Sequence, residues 1–114
     1  MSKQQSEIPY GTLDLLILRT LETMGTMHGY AVARRIEQVS GDALQLSQGS
    51  VHPALIRLQQ EGWIAAEWGS SENNRKARFY SITKSGIKRL AEETEDWERI
   101  SRVIGRVLRL EVQR

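Results

Sequence analysis

At 114 residues the chain suits one domain, with room for a modest core but not for two independent ones. Its 39% hydrophobic and 26% charged residues are those of a globular protein, and the absence of cysteine excludes disulfides, a thiolate nucleophile and a cysteine zinc site, as suits a cytoplasmic location. The net charge of +2 is unevenly spread: residues 47–90 carry +4, flanked by segments of −1 each, and a local basic stretch in a near-neutral chain is a footprint for a polyanion, against the default reading of a solvated face.

No apolar run approaches the roughly 18 residues needed to span a membrane. Residues 1–9 are polar, lack a signal-peptide core and are expected to form a flexible tail. The first helix is predicted from Thr12 to Met24, with Thr12 as its cap and Asp14 in the first turn, where negative charge is favoured. Leu13, Leu16, Ile17, Leu21 and Met24 recur at helical spacing. Leu15 and Leu18 widen the stripe, which predicts a helix buried on two sides, one of them against something outside its own core.

A second helix is predicted from Gly29 to Ser40. Val32, Ile36 and Val39 make its apolar stripe, Arg34, Arg35 and Glu37 face outward, and Gly41 lies just past the end. A third begins at Ser47 and ends near Glu61 and Gly62. Val51, Ala54, Leu55 and Leu58 share one face; Gly49, His52, Pro53, Ile56, Arg57 and Gln60 share the other. Pro53 lacks an N–H and is expected to bend this helix or confine itself to an early turn.

Two strands follow, Trp63 to Trp68 and Ala77 to Ile82, the second rich in aromatic and β-branched residues. The polar stretch 69–76 between them predicts a hairpin with a long tip ending in positive charge. The final helix is predicted from Thr83 to about Leu110. Ile87, Leu90, Thr94, Trp97, Ser101, Ile104 and Leu108 follow a spacing of three and four, beside a second stripe of Ile100, Val103, Val107 and Leu110. At roughly 27 residues it would be some 40 Å long. A core built from about 70 residues cannot cover that length, so its far half calls for a partner, most simply a second copy.

The predicted architecture is therefore mainly α with a small β-hairpin. A winged helix-turn-helix spans residues 10–86, and a dimerisation helix spans 87–114. In a helix-turn-helix the second helix of the pair enters the major groove, and a basic hairpin beside it reaches phosphates or the minor groove.

Several segments carry a more specific signal. They are Gly11-Thr12-Leu13-Asp14, His28-Gly29-Tyr30, Leu46-Ser47-Gln48-Gly49-Ser50-Val51-His52-Pro53-Ala54-Leu55 with Arg57-Leu58, Glu61-Gly62-Trp63-Ile64, Arg78-Phe79-Tyr80 and Thr83-Lys84-Ser85-Gly86. With these motifs, covering about residues 9–90, the chain resembles PadR-type bacterial transcription regulators in the short form with one long C-terminal helix. The resemblance implies a winged helix that binds duplex DNA. It also implies homodimerisation through the first and last helices, and usually repression relieved by a small molecule or another signal. Two positions depart from the pattern: His52 stands where the family often has tyrosine, and Ile56 where a polar residue is common.

The expected DNA contacts are Gln48, Gly49, Ser50, His52 and Pro53 at the start of the third helix. Gln pairs with adenine, and Ser and His donate or accept. Ser47 and Ser50 as plain caps and His52 as a surface residue are the bland alternative. Arg57 is expected at a phosphate, or in an outward ion pair. Arg75, Lys76 and Arg78 are expected at phosphates or the minor groove, or simply solvated. Tyr30 is either a packing residue or a phosphate contact.

The expected dimer interface comprises Leu15, Leu18, Leu90, Trp97, Ile100, Ile104, Val107 and Leu108. Trp97 is an anchor there, or a surface on which a small aromatic effector stacks. The two histidines lack a carboxylate cluster, so no metal is expected. No cofactor and no catalysis are expected either: there is no phosphate-binding glycine loop, nucleophile elbow or carboxylate pair with a base. Two other readings stay open, a ligand-sensing regulator with a pocket at the dimer interface and a winged helix that binds a protein.

Overall fold

A glycine, not a threonine, opens the first helix. In the computed structural model, which describes residues 11–113, α1 (Thr12–Met24) follows Gly11 in left-handed backbone (φ 87°), and no side chain caps it. Thr12 already lies inside the first turn, so its hydroxyl cannot serve as the cap expected of it. The expected tail over residues 1–9 lies outside the described residues. At the other end Gly25 (φ 84°) terminates α1, its N–H donating to the Leu21 carbonyl at 3.0 Å.

A short strand, β1 (Met27–His28), leads directly into α2 (Gly29–Val39). Two residues are too few for a period of two to show in a sequence, and β1 was not among the predicted elements. His28 closes the strand and also caps α2, its Nδ1 accepting the Ala31 N–H at 3.3 Å. Beyond α2 the chain turns through Gly41 and Asp42, both with φ 65°. Glu37, expected to face water, instead reaches back with its carboxylate to accept the Leu46 N–H at 2.9 Å. That bond fixes the loop that delivers α3 (Gln48–Gln60). Ser47 holds the N-cap position, but its hydroxyl pairs with that of Ser50 (3.3 Å) and not with the backbone. Pro53 lies within α3, which continues past it to Gln60 despite the missing N–H.

The hairpin strands are β2 (Ile64–Ser70) and β3 (Lys76–Ile82). They pair antiparallel, with Ile64 opposite Ile82, Trp68 opposite Arg78 and Ser70 opposite Lys76. The strand β1 adds to the other edge of β3, giving a three-stranded sheet in the order β1-β3-β2. α4 (Lys84–Leu108) then begins at Thr83, whose hydroxyl accepts the Gly86 N–H at 3.1 Å, the cap expected there. The resulting mainly helical fold, four helices with a small antiparallel sheet, is the winged helix architecture expected.

One core holds the elements together. Ile17, Leu18 and Leu21 of α1 meet Val32 and Ile36 of α2, Val51, Leu55 and Leu58 of α3, Ile64 and Tyr80 of the sheet, and Leu90 of α4. Each fully buried aliphatic side chain contributes about 1.5–3 kcal/mol by leaving water. This core corrects two interface assignments. Leu18 and Leu90, expected to meet a second subunit, are 1% and 3% exposed and have no surface left to offer. Leu18 neighbours Ile17 on the inward side of α1. Leu90 falls early enough in α4 to reach the body, and the exposed apolar stripe begins beyond it. Leu15 is half-buried, while Trp97, Ile100, Ile104, Val107 and Leu108 are exposed, Leu108 at 78%. Because the far half of α4 projects from the body, the molecule extends 65 Å along its longest axis.

Candidate nucleic-acid interface

Since α3 commits Val51, Ala54, Leu55 and Leu58 to the core, its other face must look outward. Gln48, Gly49, Ser50, His52, Pro53 and Ile56 are all exposed there. α2 supports this helix closely. A Cβ at Gly29 would stand 3.1 Å from Leu55 Cδ1, tighter than ordinary packing, so a glycine lets the start of α2 seat against α3. Tyr30, the next residue, is exposed, its ring stacked on His28 with centroids 6.4 Å apart. No hydrogen bond holds its hydroxyl among the described residues.

The wing is built by the two-residue alternation of its strands. Ile64, Ala66, Trp68 and Ser70 of β2 share a face with Ile82, Tyr80, Arg78 and Lys76 of β3. At the base of the hairpin this face is core, with Ile64 and Tyr80 buried. Farther out the same face passes beyond the core and carries Trp68, Arg78 and Lys76. Arg78 Nη2 donates to Gln59 Oε1 of α3 at 3.3 Å, which turns the outer wing toward the recognition helix. The Arg78 guanidinium and the Lys76 ammonium each lie 5.4 Å from the Trp68 ring centroid. Arg75 is exposed at the tip, where Asn74 takes a left-handed conformation (φ 60°) and Ser71 donates its N–H to the Arg75 carbonyl at 2.8 Å.

Arg57 takes the second of its two expected roles in the DNA-free chain. Its guanidinium bonds the Asp14 carboxylate of α1, the ion-pair alternative. It lines a cleft with Asp14, Glu61, Trp63, Arg89 and Glu93, so three carboxylates stand around the place a phosphate would occupy. Those negative charges would oppose a phosphate at this place, which favours the ion-pair alternative for Arg57. In the same cleft Arg89 stacks on Trp63 (4.8 Å to the centroid) and pairs with Glu93 at 2.5 Å, joining α4 to the base of β2.

Trp97 is 49% exposed. With Thr12, Leu15, Asp96 and Ile100 it lines an open cleft of about 210 Å3 between the start of α1 and α4. The candidate recognition surface on α3 and the wing is thus made by other residues than the apolar surface on α4. Trp68 and Gln59 were missing from the sequence-derived candidates. The alternation Trp63, Ala65, Glu67 against Ile64, Ala66, Trp68 was the available signal for Trp68; Gln59 offered none.

The model of the transcriptional regulator PadR-like family matches residues 17–92, which include α2, α3, the wing and the start of α4. The chain belongs to that family. A transcriptional regulator from Clostridium thermocellum superposes with a TM-score of 0.79 at 28% identity, over 89% of this chain and 97% of that one. A PadR-like transcriptional regulator from Bacillus cereus superposes at 0.76 with 26% identity, covering 93% and 100%. A PadR family transcription regulator from Clostridium difficile superposes at 0.72 with 26% identity, covering 86% and 99%. This PadR-like protein is accordingly a DNA-binding transcription regulator and not an enzyme. Among the described residues, no helix is long and apolar enough to cross a membrane.

Proposed function

We propose that the protein is a homodimeric repressor acting in the cytoplasm on a near-palindromic operator. One observation carries the reading. A DNA-binding body bears, on the far half of α4, an apolar face of Trp97, Ile100, Ile104, Val107 and Leu108 that stays exposed among the described residues. Such a face is stable in water when a second copy lies against it, and a twofold axis then presents two α3 helices to the duplex. Their spacing would be about 34–36 Å, one turn of B-form DNA. In each half-site Gln48, Ser50 and His52 meet base edges. Gly49 and Pro53 lie against the groove wall, and Tyr30, Arg75, Lys76 and Arg78 meet phosphates. An occupied operator excludes the polymerase.

The test joins mass in solution to binding. Sedimentation equilibrium is expected to give a dimer at micromolar concentration, and a gel shift with the protein's own upstream region a single dimer complex. A monomer that binds the duplex with unchanged affinity would overturn the proposal. In vitro transcription from the same promoter is expected to fall as the protein is added; a rise would make it an activator.

The cleft beside Trp97 favours a second layer to this reading. It opens where the second copy would lie, and an indole is a good surface for a flat apolar ligand. A small aromatic effector there would alter the angle between the long helices and hence the spacing of the recognition helices. Quenching of Trp97 emission by planar aromatic compounds, absent from Trp97→Ala, is the expected result; unchanged emission across a broad panel would remove the effector.

A further inference from the structure

We infer that Trp68 is a positioning residue for DNA binding, holding Lys76 and Arg78 as a preformed pair of cations on the wing. The inference rests on the proposed wing–phosphate contact and deepens it. Trp68 is 61% exposed, an unusual place for the largest apolar side chain unless its face is in use. It lies on the core-facing side of the hairpin but beyond the core, directly opposite Arg78 and beside Lys76. Both cations stand 5.4 Å from the ring centroid, inside the range of about 6 Å over which a ring face attracts a cation.

The kind of contact matters as much as its existence. A carboxylate would order these side chains but would also cancel their charge. Among the described residues no carboxylate pairs with Lys76 or Arg78; Glu67 of β2 falls on the opposite face of the sheet. An indole orders the two cations and leaves their full charge for a polyanion. Arg78 is further fixed by its bond to Gln59, while its Nε is buried without a partner. Long basic side chains lose much rotamer freedom when they clamp a phosphate, and a platform that restricts them beforehand lowers that loss. The outer wing is thereby set in register with α3, through Gln59, before DNA arrives.

The test uses the full chain and a mixed-sequence duplex, since phosphate contacts are sequence-independent, with affinity measured across a salt titration. Trp68→Leu, which keeps apolar bulk but removes the ring face, is expected to weaken binding about tenfold and to flatten the salt dependence. Trp68→Phe is expected to retain most of the affinity. In a Lys76→Gln/Arg78→Gln background, Trp68→Leu is expected to have no further effect. The thermal midpoint should stay unchanged in the Trp68 single variants, because the ring is exposed. If the double glutamine variant shows a lower salt slope but Trp68→Leu binds like the wild type, the positioning role is overturned and the wing contact stands. A Trp68→Leu effect that is fully additive with the glutamines also overturns it, making Trp68 a direct DNA contact. If the double glutamine variant itself leaves the salt slope unchanged, the wing contact fails and the inference with it.

Discussion

The body of the molecule and the far half of α4 use the same kinds of residue to opposite ends. In the body, Leu18, Leu55, Leu58 and Leu90 vanish from the surface into one core. In the tail, Ile104, Val107 and Leu108 stand in water at the same helical spacing. Periodicity reports that a helix has an apolar side; it does not report whether that side is covered by its own chain. The difference is set by distance along α4, because its last turns, beyond Ile100, lie past the body.

The sharpest way to break the contrast is to place charge on the tail. Trp97→Ala combined with Ile104→Glu is expected to give a well-folded monomer whose operator affinity falls by roughly 10²–10⁴, the loss of linked half-sites. Sedimentation and a gel shift check it, and a dimer that persists would mean the apolar face is not the interface. The body should respond in stability first. Leu58→Ala, at a fully buried site, is expected to cost about 2–5 kcal/mol in chemical denaturation, with the mass in solution unchanged under native conditions.

A smaller effect is expected on the recognition surface. Ser50→Ala and His52→Ala should each change discrimination between operators by about 1–3 kcal/mol and leave both stability and oligomeric state alone. Competition between matched and altered operators measures this; uniform weakening on every duplex would instead make these residues phosphate contacts. The smallest effect is expected at the Asp14–Arg57 pair. Arg57→Met should shift stability by no more than about 1 kcal/mol, as for other partly exposed ion pairs, and should not alter the salt slope of DNA binding. A lower slope would return Arg57 to the phosphates.

Much of this organisation was legible in the sequence. The four helices and the hairpin follow from apolar spacing and from capping residues such as Thr83, and the exposed face of α3 follows from knowing its buried one. What the sequence concealed was long-range. Nothing local shows that Leu18 and Leu90, part of broad or long stripes, are consumed by the core. Arg57 meets Asp14 across 43 positions of chain, and Glu93 joins the same cleft from α4. The short strand β1 exists because β3 offers it an edge, not because two residues prefer to be extended. Thr12 gave a capping signal one residue late, since only the backbone of Gly11 shows where the helix starts. The Trp68 platform requires the register of the hairpin, which places Arg78 opposite the ring.

The seat of α4 has a mechanical consequence. A Cβ at Gly86 would fall 2.0 Å from the Trp63 carbonyl oxygen, while Thr83 and Ser85 both donate their hydroxyls to the Gly62 carbonyl. The joint between tail and wing is thus a weld rather than a hinge. A twist of the long rod would therefore be felt at the root of the hairpin.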